Sequence, residues 1–137
     1  MSAISCNVRV LRQKAMAPDI RRLTVALPKE GPLPKAGQFY MLRAWAANES
    51  PVLSRPISVH DEAEGSLTFL YQIKGEGTQK LAHLAWGQTL TITGPCGNGF
   101  DVEAAAKAGK VAVVGGGIGT APLLLLCKQL AAAGCKP

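Results

Sequence analysis

The sequence predicts a mainly β protein, in which a six-stranded antiparallel Greek-key barrel is followed by the first strand and helix of a parallel α/β domain. Three observations lead to this fold class. Six short segments with β-type patterning lie between turn-forming residues in the first hundred positions. After Phe100 the composition becomes rich in alanine. An apolar segment, a glycine turn and an apolar helix then follow directly, as they do at the start of a parallel α/β domain.

Each predicted strand is a short run in which polar and apolar residues alternate, bounded by glycine, proline or acidic turns. Leu23, Val25 and Leu27, for example, recur at a spacing of two before Pro28 ends the run. The predicted strands cover residues 7–12, 20–27, 39–44, 57–60, 67–73 and 89–93. Short strands at this spacing favour a closed antiparallel barrel or a sandwich.

Three helices are predicted along the chain. Thr78 can cap the first, which interrupts the β pattern, and Asp101 can cap a short alanine-rich helix that ends near Ala108. A strand over residues 111–114 and a helix over about 120–133 complete the second part of the chain.

The change of composition near Asp101 divides the chain into a barrel domain over residues 1–100 and the start of an incomplete α/β domain over residues 101–137. An α/β domain needs several strand–helix units to cover both faces of its sheet. The helix over residues 121–133 would then present an apolar face with no sheet to cover it. Exposed apolar surface usually meets a partner, so we expect self-association or a partner subunit to bind through this helix.

Composition limits the classes of partner. The formal net charge is +6, but the basic residues are scattered, and the charge is compatible with an acidic partner or with solubility alone. A nucleic-acid-binding barrel is a weaker hypothesis, because few aromatic residues are available to stack on bases. Residues 1–6 do not resemble a signal peptide, and no segment reaches the roughly 20 apolar residues of a membrane span. We therefore expect a cytoplasmic protein without membrane or nucleic-acid partners.

No catalytic or metal-binding residue is predicted from the side chains that usually carry such chemistry. The spacing of the cysteines fits neither a zinc nor an iron–sulfur pattern, so we expect no iron–sulfur cluster in this chain. These cysteines are Cys6, Cys96, Cys127 and Cys135.

The first candidate site is the segment Arg55-Pro56-Ile57-Ser58. Pro56 favours an extended conformation at Arg55, so the segment enters a strand. A guanidinium group there presents a planar set of donors suited to a pyrophosphate, and the hydroxyl of Ser58 can hydrogen-bond to a flat heterocycle. The alternative is a surface cation beside a half-buried serine.

The second and third candidate sites are glycine turns that precede helices. Gly75, Gly77 and Thr78 lie where a helix begins, and free N–H groups there attract anions. The turn over residues 115–120 lacks the GxGxxG spacing, although small residues there still let a nucleotide approach the backbone. The alternatives are an ordinary capped helix and an ordinary glycine loop.

The ordered set of three motifs resembles the ferredoxin–NADP reductase superfamily, and the resemblance covers essentially the whole chain. The segments that carry it are Arg55-Pro-Ile-Ser58, Gly75-Glu-Gly-Thr78 and Gly115-Gly-Gly-Ile-Gly-Thr-Ala-Pro122. Within the superfamily, the first of these and the Gly94–Phe100 segment are most similar to the electron-transfer subunits of dihydroorotate dehydrogenases and to related hydrogenase and sulfide dehydrogenase subunits.

The resemblance implies an FAD-binding electron-transfer module of an NAD(P)H-linked oxidoreductase with a redox partner protein. It implies cofactor contacts from Arg55, Pro56, Ile57, Ser58, Tyr71, Ile73, Gly75, Gly77, Thr78, Gly116, Gly117, Gly119 and Thr120. NAD(P) binding is possible, but the domain that would perform it is incomplete here. The alternative is a non-catalytic fragment or interaction subunit that keeps the barrel as a scaffold.

Overall fold

The computed structural model describes residues 3–135, and its central feature is a closed barrel of six antiparallel strands. The strands pair in the order β1-β2-β5-β4-β3-β6, and β6 returns to pair with β1. Their bounds are Ile4–Ala17 for β1, Ile20–Ala26 for β2, Phe39–Arg43 for β3, Arg55–Ala63 for β4, Ser66–Gln72 for β5 and Thr89–Cys96 for β6. The prediction of a mainly β protein with a six-stranded antiparallel barrel is confirmed.

The long first strand closes the barrel. Its first part pairs with β6, where Cys6 lies opposite Ile92. Its second part pairs with β2, where Val10 lies opposite Val25 before a register shift ahead of Arg12. Such a shift bends a strand and increases its twist. The bend lets successive parts of β1 pair with β6 and with β2. The prediction covered only residues 7–12; pairing with β6 extends β1 back to Ile4, and pairing with β2 extends it to Ala17, although most residues after Val10 are exposed.

The barrel interior is filled by the inward-facing residues of all six strands. The rings of Tyr40 and Phe69 meet edge to face, with centroids 5.9 Å apart. Gly94 gives the Tyr40 ring its space, because a Cβ there would lie 2.5 Å from a ring carbon. Among the fully buried side chains are Val10, Leu23, Val25, Leu42, Val59, Leu67 and Ile92.

The first two helices have N-caps at Gly75 and Asp101. The helix α1 spans Glu76–Ala82, and α2 spans Val102–Ala108. Asp101 caps α2 as predicted, because its Oδ1 accepts a hydrogen bond from the amide of Ala104 at 2.9 Å. Thr78 lies inside α1 rather than at its N-cap, which is Gly75.

The predicted strand over residues 111–114 is wrong. Residues 111–116 carry no regular secondary structure, because a parallel strand is stabilised only by neighbouring strands and the described residues offer it no such ladder. The helix α3 spans Leu123–Ala132, later than the predicted start, and a 3-10 turn over Gly117–Thr120 precedes it. Pro122, at the N-cap of α3, follows this turn.

Helix α3 packs against the rest of the chain. Leu125, Leu126 and Leu130 are buried with the core, so its apolar face is covered, contrary to the sequence-based expectation. The carboxamide of Gln129 accepts a hydrogen bond from the amide of Ala36 at 3.0 Å. None of the helices within residues 3–135 is long and apolar enough to cross a bilayer.

Two side chains of β4 connect α3 to the barrel surface. Lys128 of α3 pairs with the Oδ1 of Asp61 at 2.6 Å. His60 donates from Nδ1 to the carbonyl of Ala121 at 2.7 Å, which ties the segment before α3 to the same strand. The segment between the 3-10 turn and α3 is therefore held over β4.

Candidate functional site

A cleft of about 410 Å³ lies between the barrel surface, the start of α1 and the segment that precedes α3. Three stretches far apart in the sequence form its walls. These are residues 55–58 at the start of β4, residues 70–78 from β5 into α1, and residues 118–122. All three motifs singled out in the sequence therefore contribute to one concave site.

The wall from β4 combines a cation, an apolar surface and a hydroxyl. Arg55 donates from Nε to the carbonyl of Ser54 at 3.3 Å, and this is the one side-chain hydrogen bond of Arg55 to the described residues. Pro56 and Ile57 supply the apolar part, and Ser58 adds its hydroxyl. Arg55 and Lys74 are the charged residues that line the cleft, so the site is positive and suited to an anion.

The absence of a side chain at Gly77 lets Arg55 lie across the start of α1. A Cβ at Gly77 would come within 2.8 Å of Cγ of Arg55 and 3.1 Å of Cη2 of Trp45. By contrast, a Cβ at Gly75 would meet nothing within 4 Å. The contact joins the first two motifs directly, because the glycine of one supports the arginine of the other.

The hydroxyl of Thr78 shapes the turn that enters α1. Its Oγ1 accepts from the amide of Lys74 at 2.8 Å and from the amide of Gly75 at 3.0 Å. The same hydroxyl donates to the carbonyl of Gly75 at 3.1 Å. These bonds engage the hydroxyl within the turn, so the first-turn amides of α1 and the ammonium of Lys74 are the groups left to meet an anion.

Tyr71 forms part of the cleft wall while its hydroxyl points into the protein. The hydroxyl donates to Oε1 of Gln13 at 2.5 Å, and Nε2 of Gln13 donates to the carbonyls of Leu81 and Leu84 at 2.9 and 2.8 Å. Burial raises the pKa of Tyr71, which the nearby charge of Arg21 partly opposes. Tyr71 therefore remains neutral and fixes β5 to the end of α1 through Gln13.

The third wall consists of the 3-10 turn and the two residues between this turn and α3. Ile118, Gly119, Ala121 and Pro122 line the cleft. The turn is tight, because a Cβ at Gly115 would overlap a methyl carbon of Leu123. With its Ala121 carbonyl bonded to β4, this segment forms a fixed cover along one side of the cleft.

The cleft contains many of the predicted contact residues. Arg55, Pro56, Ile57, Ser58, Tyr71, Thr78 and Gly119 line it. Six others do not line the cleft: Ile73, Gly75, Gly77, Gly117 and Thr120 each lie next to a lining residue in the sequence, and Gly116 lies one residue further away. Their roles as cofactor contacts remain predictions.

Sequence analysis missed Leu70 and Gln72, which line the cleft on either side of Tyr71. Strand alternation was the available signal, because these two residues face away from the side of β5 that buries Phe69. Within residues 3–135, no group of three or more His, Cys, Asp or Glu side chains is placed to hold a metal ion.

Comparison with protein families gives a match to the barrel. The profile of the oxidoreductase FAD-binding domain matches residues 7–100. Among curated proteins, the electron transfer subunit of dihydroorotate dehydrogenase B (NAD(+)) from Clostridium acetobutylicum is 50% identical over 96 residues, which cover 70% of this chain and 37% of that protein. The corresponding subunit of Bacillus caldolyticus is 39% identical over 132 residues, 95% of this chain and 51% of that protein. The chain thus spans about half the length of these relatives, or less.

Solved structures agree with the sequence comparisons. An NADH-dependent reduced ferredoxin–NADP oxidoreductase, described in connection with flavin-based electron bifurcation, has a TM-score of 0.80 and 27% identity over 93% of this chain and 45% of its own. The cytochrome P450 reductase of Amycolatopsis has a TM-score of 0.79 and 25% identity over 96% of this chain and 40% of its own.

Proposed function

Because this chain belongs to the oxidoreductase FAD-binding domain family, we propose that it binds FAD in the cleft and passes electrons to a partner protein. The observation that carries this proposal is the convergence of the three motif segments on one positive, partly apolar cleft. The names of the relatives support an electron-transfer role.

The residues of the cleft fit the chemistry of FAD. A volume of about 410 Å³ lies within the usual range of small-molecule sites. Arg55 and Lys74 match the charge of a diphosphate. The apolar surface of Pro56, Ile57 and Leu70 matches a flat heterocycle. Because Gly77 has no side chain, it leaves the space that the Arg55 side chain occupies.

We assign the binding roles from the hydrogen-bond donors of each residue that are not engaged within the protein. The guanidinium of Arg55 binds the diphosphate with Lys74 and the amides of the first turn of α1, whereas Thr78 acts by holding that turn. Ser58 hydrogen-bonds to the isoalloxazine, and Tyr71 orients the wall behind it. Bound FAD supplies the chemistry, because a flavin accepts a hydride and releases electrons singly.

Further assignments in the second part of the chain belong to the same proposal. Residues 101–137, of which 136 and 137 lie outside the described residues, begin a domain that binds NAD(P), and residues 116–120 face the nicotinamide nucleotide. A partner subunit receives the electrons, as the names of the relatives suggest for a dihydroorotate dehydrogenase. Helix α3 contacts such a subunit, or a second copy, through its exposed side around Leu124, because its other side is buried.

Visible absorption tests FAD binding. The purified chain is mixed with FAD, excess ligand is removed, and the retained flavin is measured against the protein concentration. We expect stoichiometric retention by the native chain and a marked loss in an Arg55→Gln variant. Arg9→Gln is the matched control, since Arg9 is an exposed arginine of β1 outside the cleft. Folded protein that retains no flavin would reject the proposal and favour an interaction subunit.

A further inference from the structure

A second groove lies beside the cleft and shares a wall with it. The groove measures about 390 Å³ and is lined mainly by β1, by Arg21 of β2 and by the residues that follow α1. Gln13 lines this groove, and its Oε1 accepts the hydroxyl of Tyr71, which lines the cleft. A hydrogen-bonded pair of side chains therefore links the two sites.

The groove combines exposed apolar side chains with positive charge. Trp86 is 75% exposed and Leu11 is 38% exposed, although such side chains usually lie in a core. Arg12 and Arg21 line the same groove, and no acidic side chain does. The ion pairs found within residues 3–135 involve Lys80, Lys107 and Lys128, and neither groove arginine.

One of the two arginines is held in a fixed position. Arg21 donates from one terminal nitrogen to the carbonyls of Ala17, Pro18 and Ile20, at 3.0 to 3.3 Å. This anchoring reduces the conformational entropy that the side chain would lose on binding. The groove thus presents an ordered cation beside an exposed indole.

We propose that this groove docks an acidic protein surface with an apolar centre, namely that of the redox partner; this assignment rests on the proposed function. Tryptophan and arginine are the residues that most often dominate protein interfaces. Arg12 and Arg21, which form none of the ion pairs found among residues 3–135, are complementary to carboxylates, and such complementarity speeds association. A nucleic acid is less suited, because its binding uses several aromatic side chains in succession and the groove offers Trp86 alone.

The position of the groove relative to the cleft suits the docking of a redox partner. A protein seated there contacts the outer side of Gln13, while a flavin in the cleft contacts Tyr71. The 2.5 Å hydrogen bond between Tyr71 and Gln13 then links the two binding surfaces. Because the groove and the cleft have no lining residue in common, a protein docked in the groove leaves the cleft residues free for the flavin.

Calorimetric titration tests the docking surface in the complete chain. The acidic probe is a plant-type [2Fe–2S] ferredoxin, and cytochrome c is the basic probe. Trp86→Ala is matched with Leu53→Ala, another exposed apolar residue at 68% exposure. Arg12→Glu is matched with Lys107→Glu, an exposed cation of α2. Each variant is also titrated with FAD and checked for folding by circular dichroism.

We expect saturable binding of the ferredoxin and none of cytochrome c. Trp86→Ala and Arg12→Glu should each weaken binding about tenfold, while the two control variants stay within about twofold. No binding of the ferredoxin, equal losses in groove and control variants, or stronger binding of single-stranded DNA would overturn the assignment. Loss of FAD binding with groove-dependent ferredoxin binding would reject the proposed function and leave the docking surface supported.

Discussion

Gly77 and Arg55 show how a residue without a side chain can build a binding site. The arginine reaches across α1 because nothing projects from Gly77, and the indole of Trp45 borders the same space. Gly77 is buried and Gly75 is exposed, although both glycines belong to one sequence motif. The motif therefore contains one position that packing restricts and one that it does not.

A Gly77→Ala variant tests this restriction. The added methyl group would force Arg55 or Trp45 to move, and overpacking of this kind costs about 1–3 kcal/mol of the free energy of unfolding. We expect FAD affinity to fall about tenfold or more, since the guanidinium is displaced. Gly75→Ala is the control, because a Cβ there meets nothing within 4 Å and its φ is −152°. Equal effects of the two substitutions on FAD affinity would contradict this account.

Because Tyr40 is buried, the free energy of unfolding should depend on pH in the alkaline range. Burial raises the pKa of Tyr40 to about 12 from its ordinary value of 10, with smaller contributions from Cys6 and Cys96. The folded state then holds its proton more tightly than the unfolded state, so the stabilisation is complete below pH 10 and is lost as the pH rises towards 12. Denaturant unfolding at several pH values should show a shallower decline for Tyr40→Phe. Parallel curves for the two proteins would argue against it.

At the scale of elements, helix α3 is present as predicted but its packing differs from the sequence-based expectation. The sequence correctly indicated a helix, because apolar residues dominate this stretch. Sequence alone could not show that Leu125, Leu126 and Leu130 pack against the chain's own core, since the hydrogen bonds and ion pair that place α3 join residues far apart in sequence. His60 and Asp61, which anchor it, lie in strand β4.

Truncation of Leu130 measures how firmly α3 is docked. Leu130 is fully buried, and removing a buried leucine side chain to alanine usually costs about 2–5 kcal/mol. Leu124, on the same helix and 42% exposed, is the matched control. Its substitution should change the free energy of unfolding by about 0.5 kcal/mol or less. Urea titration measures both values, and similar losses at the two positions would show that α3 is not anchored through its buried face.

The strands were more predictable than the connections between them. Alternation located all six strands, because one face of each is buried in the barrel. The strand expected at residues 111–114 failed for the converse reason, since alternation and apolar character cannot create a pairing partner. In the site, motif residues such as Arg55 were evident from sequence, whereas Leu70 and Gln72 became evident only when β5 was placed beside the cleft.

At the scale of the whole molecule, the cleft brings together three parts of the chain that are far apart in sequence. Its walls come from β4, α1 and the segment before α3. A ligand that contacts all three walls binds the folded state alone and stabilises it by mass action, about 2.7 kcal/mol at a hundred times the dissociation constant. The stabilisation should be strongest where local opening would separate the walls.

Hydrogen exchange with and without FAD tests this coupling. Amides of residues 117–121 and of the first turn of α1 should exchange more slowly when FAD is present, and the thermal midpoint should rise with FAD concentration. The turn between β4 and β5, around Gly65, is the internal control because it lies outside the cleft. Uniform protection, or none in residues 117–121, would separate FAD binding from the segment before α3.

The closure of the barrel by β1 and β6 has a consequence for how the protein is made. Asn7 and Thr91 share a hydrogen bond although they are 84 residues apart in sequence. A ribosome that adds about 5–20 residues per second releases the first strand several seconds before its partner exists. During that interval the first part of β1, which pairs with β6, presents an unpaired edge, the kind of surface that recruits other chains. The cleft is completed later still, when residue 122 has emerged. We therefore expect the part of β1 that pairs with β6 to lack its partner strand until residue 96 has been added.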